Sequence, residues 1–157
     1  MKSVLMVCLG NICRSPLAEG ILKNKLELAG IGDVLVDSAG TSDYHIGETP
    51  DKRSIANAHR HQVDISKHRG RQFLAGDFSA FDQIYVMDVS NYENVIALAK
   101  TKEEKNKVEL ILKVLNNDKL VSVPDPYFGG EEGFEEVFQL LDKACDKVLN
   151  KIQLANS

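Results

Sequence analysis

The chain has no tryptophan, three cysteines and four prolines among its 157 residues, and aromatic residues make up 6% of it. Cys8, Cys13 and Cys145 are too few, and odd in number, for the disulfide framework of a small secreted domain. Reduced thiols in a cytoplasmic protein are expected instead. A basic excess is also missing. Lys and Arg number 19 against 23 Asp and Glu, a net charge of -4, which argues against nucleic acid as a partner. No apolar run approaches the roughly 20 residues needed to cross a bilayer, so no membrane partner is expected. The N-terminus passes directly into Ser3-Val4-Leu5-Met6-Val7, without the charged and apolar regions of a signal peptide. With no internal repeat, low-complexity tract or linker, residues 1–157 are expected to form one domain with its own core.

What is present is an alternation of strand and helix signals. Ser3 to Cys8 is short, apolar and not alternating, as in a strand buried on both faces of a parallel sheet. A Gly-containing loop follows, then Ser15-Pro16, with Ser suited to a helix N-cap and Pro to the first helical position. Leu17, Ala18, Ile21, Leu22, Leu26 and Ala29 recur at helical spacing, and Gly30 stands where the helix should stop. Val34 to Val36 is a second strand, ending at Asp37-Ser38-Ala39-Gly40. A loop with Gly47 and Pro50 leads to a helix from Asp51 to His61. Gln83 to Met87 is a third strand, followed by Ser90 as the expected N-cap of a helix near Tyr92 to Ala99. Val108 to Leu112 is ambiguous by periodicity and is assigned as the fourth strand. The last helix is the clearest, with Phe134, Val137, Phe138, Leu141, Ala144, Cys145, Val148, Leu149 and Ile152 along one face. Glu residues crowd its first turns and Lys residues its later ones, which complements the helix dipole. Such an order implies a doubly wound α/β fold with right-handed crossovers.

In folds of this kind ligands bind beyond the carboxyl ends of the strands, where loops feed helix N-termini. Cys8-Leu9-Gly10-Asn11-Ile12-Cys13-Arg14-Ser15 occupies that place. Backbone N–H groups ending at a helix N-terminus make an anion site, and Gly10 permits close backbone approach. Arg14 offers a planar fork matched to two phosphate oxygens. The helix dipole, the loop amides and Arg14 all favour a thiolate at Cys8, which Ser15 can stabilise by donating a hydrogen bond. A thiolate at the base of an oxyanion cradle is a phosphoryl-transfer nucleophile. A lone Cys at a strand end is ordinarily a small hydrophobe, and Cys13 alone would carry no more than that. Placement between a strand and a helix separates Cys8 and Arg14 from that background. A nucleotide-binding loop is excluded, because no Lys follows a second Gly as that motif requires.

The segment Val7 to Pro16 resembles the signature of low-molecular-weight protein-tyrosine phosphatases. The similarity continues through Asp37-Ser38-Ala39-Gly40-Thr41, the stretch Ile65 to Gln72, Met87-Asp88-Val89-Ser90-Asn91 and Val123-Pro124-Asp125-Pro126-Tyr127. These segments keep the family order over essentially the whole chain. The larger tyrosine phosphatases also space Cys and Arg this way, but deep in a longer chain. The resemblance implies a four-stranded parallel sheet flanked by helices on both faces, with the phosphate-binding loop between strand 1 and helix 1. It implies that Asp125 is the general acid, where the residues alone would suggest a turn carboxylate. It further implies that Asn11, Ser38 and His68 brace the loop, with Asp88 orienting His68. Tyr44 and Tyr127 resemble the aromatic walls around a phosphotyrosine ring, with Leu9 and Ile12 lining the rest, and Phe128 stands where several members carry a second Tyr.

The activity so implied is hydrolysis of phosphotyrosine monoesters through a cysteinyl-phosphate. Asp125 would protonate the leaving oxygen and then activate water. No metal or cofactor is expected; His59, His61 and the Glu clusters form no metal motif and are taken as surface residues. Expected partners are phosphotyrosine proteins, an autophosphorylated tyrosine kinase among the candidates by analogy, with inorganic phosphate and other oxyanions as product or inhibitors. Relatives that hydrolyse phosphoarginine tend to carry Thr at the position of Ile12, so an aryl substrate is favoured. An arsenate reductase would need further cysteines after the third strand, and Met87 to Lys107 has none. Cys8, Arg14 and Asp125 together argue against a fold retained only for binding. Cys13, in the same loop as Cys8, is assigned as a redox guard that captures an oxidised Cys8 as a disulfide.

Overall fold

Six residues without a charged side chain leave the strand β1 (Ser3–Cys8) no polar face to turn to water, and it occupies the interior of a sheet. The computed structural model describes residues 1–127 and 129–156. Strands β2 (Leu35–Gly40) and β3 (Gln83–Val86) pair with β1 on either side, and β4 (Val108–Leu110) pairs with β3. All pairings are parallel, in the order β2-β1-β3-β4. The four-stranded parallel sheet is the one expected.

The pleat divides β1 between two cores. Val4, Met6 and Cys8 face one core, closed by the helices α1 (Arg14–Leu28) and α6 (Glu131–Ala155). Leu5 and Val7 face the other, with Phe73, Phe78 and Phe81. The second core is covered by α3 (Asp77–Ala80) and α4 (Val89–Ile96), so helices flank both faces. Between β2 and β3 lies α2 (Lys52–Arg60), and α5 (Lys102–Asn106) precedes β4. Helix α2 is fastened to α6 by Glu135, which accepts from Asn57 at 2.9 Å and pairs with His61 at 2.8 Å. Lys25 of α1 bridges Asp142 and Asp146 of α6 at 2.8 and 2.7 Å. Among the described residues no helix is long and apolar enough to cross a membrane.

Four local expectations are corrected. Ser15 does not cap α1, which begins one residue earlier, at Arg14, with Cys13 in the cap position and no side-chain cap bond. The Ser15 hydroxyl lies instead within 3.0 Å of the Cys8 sulfur. Ser90 does not cap α4 either. Asp88 does, in a reciprocal box with Asn91 that starts the helix at Val89. The fourth strand is cut to three residues, because Ile111–Leu115 turn into a 3-10 helix whose Ile111 and Leu112 are buried, ended by the left-handed Asn116. His61 is not simply a surface residue: its ring stacks on Phe138, centroids 3.8 Å apart.

Strand β2 lies on one side of β1 and β3 on the other, so the strand order reverses at β1 and the carboxyl ends of β1 and β3 form a switch point, where such sheets bind ligands. Gly40 ends β2 against the loop that leaves β1. A Cβ there would stand 2.7 Å from the Leu9 carbonyl oxygen and 3.1 Å from the Asn11 nitrogen. Both are backbone atoms with nowhere to retreat. Gly40→Ala is therefore expected to cost about 1–3 kcal/mol in denaturant unfolding and to weaken competitive inhibition by inorganic phosphate. Wild-type stability with wild-type inhibition would show that the loop is not held against the strand.

Candidate active site

The turn from Cys8 to Arg14 carries the chain from the end of β1 into the start of α1, and Asn11 adopts a left-handed conformation within it, φ 56°. That conformation costs a non-glycine residue about 1 kcal/mol, so the side chain must compensate. Its carboxamide does so fourfold. Asn11 Nδ2 donates to Ser15 Oγ at 2.8 Å and to Ser38 Oγ at 3.0 Å. Its Oδ1 accepts from the Arg71 backbone at 3.0 Å and from His68 Nε2 at 3.1 Å. These partners come from α1, β2 and the segment before α3, so the loop is braced from three directions.

The bracing also sets the surroundings of Cys8. Ser15 Oγ receives an Asn11 N–H, and its own proton can go to Cys8 Sγ at 3.0 Å or to the Ala39 carbonyl at 3.4 Å. The Asn11 backbone N–H also points at the sulfur, 3.3 Å away. Cys8, 3% exposed, thus sits under the Ser15 hydroxyl and the Asn11 N–H at the floor of the loop. Ser38 Oγ donates a hydrogen bond to Glu19 Oε1 at 2.5 Å, and the same carboxylate oxygen lies 3.5 Å from His68 Nδ1. Glu19 was missed in the sequence. The signal was there: a carboxylate on the stripe of α1 that carries Ser15, Leu22 and Leu26, all buried.

Arg14 is equally enclosed, 3% exposed. Its Nη1 donates to Asp88 at 2.7 Å and to the Val123 carbonyl at 3.0 Å, and its Nη2 lies 3.7 Å from Asp125. Burial opposes its charge, but Cys8, Asp88 and Asp125 hold its pKa above the ordinary value. Asp88, assigned to His68 from the sequence, is brought to Arg14 instead. His68 is partnered by Asn11 and Glu19.

Cys8 and Arg14 form the floor of a cavity of about 270 Å³. Leu9, Ile12, Tyr44 and Tyr127 stand around it, and Asp125 lies at its edge, 39% exposed. Tyr127 donates its backbone N–H to Asp125 Oδ1 at 3.0 Å, closing a turn on the carboxylate. The sequence reading also missed His45, which lines the cavity next to Gly10 and pairs with Glu48 at 2.8 Å. Phe128 lies outside the described residues. Cys13 borders the same cavity as a buried free thiol. Burial, followed by the charges of Asp51, Cys8 and Asp125, pushes the Cys13 pKa far up, so it stays protonated at neutral pH. No group of three or more potential metal-ligating side chains occurs among the described residues.

A parallel α/β sheet with a cysteine at the base of an anion-binding loop defines the class of cysteine-dependent phosphatases. The sequence profile of the low molecular weight phosphotyrosine protein phosphatases matches residues 3–156. The low molecular weight phosphotyrosine protein phosphatase of Homo sapiens is 41% identical over 152 residues, 96% of this chain and 95% of that one. The crystal structure of YfkJ from Bacillus subtilis superposes with a TM-score of 0.93 at 35% identity, covering 100% and 98% of the two chains. That of a Drosophila arginine phosphatase does so with 0.90 at 34% identity, covering 97% and 98%. The chain belongs to the low molecular weight phosphotyrosine protein phosphatase family, whose members are phosphomonoester hydrolases working through a cysteinyl-phosphate.

Two outcomes follow from the loop geometry. Asn11→Ala is expected to destabilise the fold by about 2–4 kcal/mol, leaving buried partners unsatisfied in a strained turn. Asn11→Gly relieves the strain but not the lost bonds, and should recover no more than about 1 kcal/mol in the same melts. Full recovery by Gly would mean that the side-chain bonds contribute nothing. Iodoacetate at neutral pH, followed by peptide mass spectrometry, should label Cys8 well before Cys13; the reverse order would contradict the protonated state of Cys13.

Proposed function

We propose that residues 1–157 constitute one protein-tyrosine phosphatase domain in which Cys8 is the nucleophile, Arg14 the phosphate clamp and Asp125 the general acid and base. The observation that carries this reading is the convergence of those three groups on one cavity, with Arg14 3.7 Å from Asp125 and Cys8 beneath the Asn11 N–H. Cys8 Sγ attacks phosphorus as the P–O bond breaks, and Asp125 transfers its proton to the departing oxygen. Water then attacks the cysteinyl-phosphate and gives its proton to Asp125. The S–P bond breaks, the thiolate returns and inorganic phosphate leaves. Arg14 and the loop N–H groups bind the equatorial oxygens throughout, so stabilisation is chiefly electrostatic.

A phosphotyrosine ring suits the apolar walls. Tyr44, 75% exposed, has surface to cover, and Ile12 offers the ring no hydroxyl. The Drosophila arginine phosphatase has the same fold, so the choice between aryl and guanidinium substrates rests on such side chains and not on the sheet. Phosphotyrosine proteins, an autophosphorylated kinase among them, are the proposed partners, with phosphate and similar oxyanions as product or inhibitors. A cytoplasmic setting is in keeping with three free, buried thiols. Cys13, a free thiol in the same loop, is the proposed partner of a Cys8 sulfenic acid, displacing water to form a disulfide that reductant reverses.

Wild type should hydrolyse para-nitrophenyl phosphate and phosphotyrosine peptides, and Cys8→Ser should fall to background. Asp125→Asn should lose about 10²–10⁴-fold in kcat/KM on phosphotyrosine. Phosphoarginine and phosphoserine peptides are expected to turn over far more slowly. A phosphoarginine rate equal to that for phosphotyrosine would overturn the substrate assignment. Peroxide-treated protein lacking a Cys8–Cys13 disulfide in peptide maps would remove the redox role of Cys13.

A further inference from the structure

The segment that bears Asp125 has no helix or strand to set its shape. Residues 120–126 are irregular, and the chain regains regular hydrogen bonding only at α6. A general acid on such a segment is held by whatever clamps the chain on either side. Upstream the clamp is visible. Val123 donates its N–H to the Met87 carbonyl at 2.8 Å and accepts from Arg14 at 3.0 Å.

Downstream a second arginine serves, and no catalytic step has yet used it. Arg53, in the first turn of α2, donates from Nη2 to the Tyr127 carbonyl at 2.8 Å and from Nη1 to the Gly129 carbonyl at 3.1 Å. Its guanidinium lies over two rings, 5.7 Å from the Tyr127 centroid and 4.7 Å from that of Phe134 in α6. It is held in turn by Asp51, with Nε 3.1 Å from Oδ1 and Nη2 3.0 Å from Oδ2. Asp51 donates its own backbone N–H to the Ile12 carbonyl at 2.8 Å. A continuous path therefore runs from the loop that holds Cys8, through Asp51 and Arg53, to the carbonyls after Asp125.

We propose that Arg53 is a positioning residue for Asp125, holding the acid-bearing segment at a fixed height over the phosphate loop; this rests on Asp125 being the general acid. Asp125 Oδ1 is bound to the Tyr127 N–H, and Oδ2 faces Arg14. A shift of the Tyr127 backbone therefore moves the carboxylate, and Arg53 grips the carbonyl of that same residue. A lysine could not replace this grip, because one ammonium cannot span two carbonyls and both oxygens of Asp51 as a planar fork does.

The test compares wild type, Arg53→Ala, Arg53→Lys and Asp125→Asn on substrates differing in their need for an acid. Phosphotyrosine has a poor leaving group, and para-nitrophenyl phosphate a good one that departs with little protonation. Arg53→Ala is expected to lower kcat/KM about tenfold on phosphotyrosine and less than about threefold on para-nitrophenyl phosphate, as a displaced acid would. Arg53→Lys should fall between. Inhibition by inorganic phosphate should be unchanged, since the loop around Cys8 is untouched. Equal losses on both substrates, no loss on either, or phosphate inhibition weakened in parallel would each overturn the proposal. Asp125→Asn separates the two readings. If it too fails to discriminate between leaving groups, the acid assignment falls and this proposal with it; if it discriminates and Arg53→Ala does not, only the proposal falls.

Discussion

A loop that turns its N–H groups inward toward an anion cannot satisfy them with its own carbonyls, and it must also hold a residue in a conformation that L-amino acids resist. The Asn11 carboxamide meets the second demand. One side chain meets Ser15, Ser38, His68 and the Arg71 backbone, using two donors and two acceptor positions. Because these partners belong to three different parts of the fold, the loop is tied to the core around it. The environment of the Cys8 sulfur follows from the same residue, whose side chain holds Ser15 beside the sulfur and whose backbone N–H points at it.

The same logic extends outward through buried charge. Glu19 and Arg14 would be costly alone in the interior, yet each is surrounded by partners. Glu19 accepts from Ser38 and meets Lys23, with His68 within reach. Arg14 is neutralised by Asp88 and steadied by the Val123 carbonyl. Such clusters contribute little net stability, since desolvation offsets much of their attraction. What they contribute is a single geometry, which electrostatic stabilisation of a transferring phosphoryl group requires.

Much of this could be read from the residues. Strand β1 was legible because an apolar run admits no exposed face, and α6 because its stripe repeats over several turns. The loop was legible because Cys8, Gly10 and Arg14 have few other uses together at a strand end. Three kinds of feature escaped. Caps were misplaced at Ser15, whose hydroxyl is committed to the Cys8 sulfur, and at Ser90, where Asp88 forms the box with Asn91 two residues earlier. The end of β4 escaped because Ile111 and Leu112 are buried equally well in a strand or in a 3-10 turn. Pairings across long stretches of chain escaped as well. The match of Asp88 to Arg14 and of Arg53 to the Tyr127 carbonyl depends on topology, not on spacing.

The Val123 carbonyl that steadies Arg14 lies 109 residues further along the chain. Synthesis runs from the N-terminus, so Cys8 and Arg14 leave the ribosome long before β3, Asp88 or the Val123 segment exist to receive them. During that interval Cys8 is an ordinary cysteine on an unbraced loop, and Arg14 lacks Asp88, the Val123 carbonyl and Asp125 beside it. Activity therefore arrives late and all at once, when the last third of the polypeptide docks. A nascent or truncated chain ending before that point would carry the signature of a phosphatase and none of its chemistry.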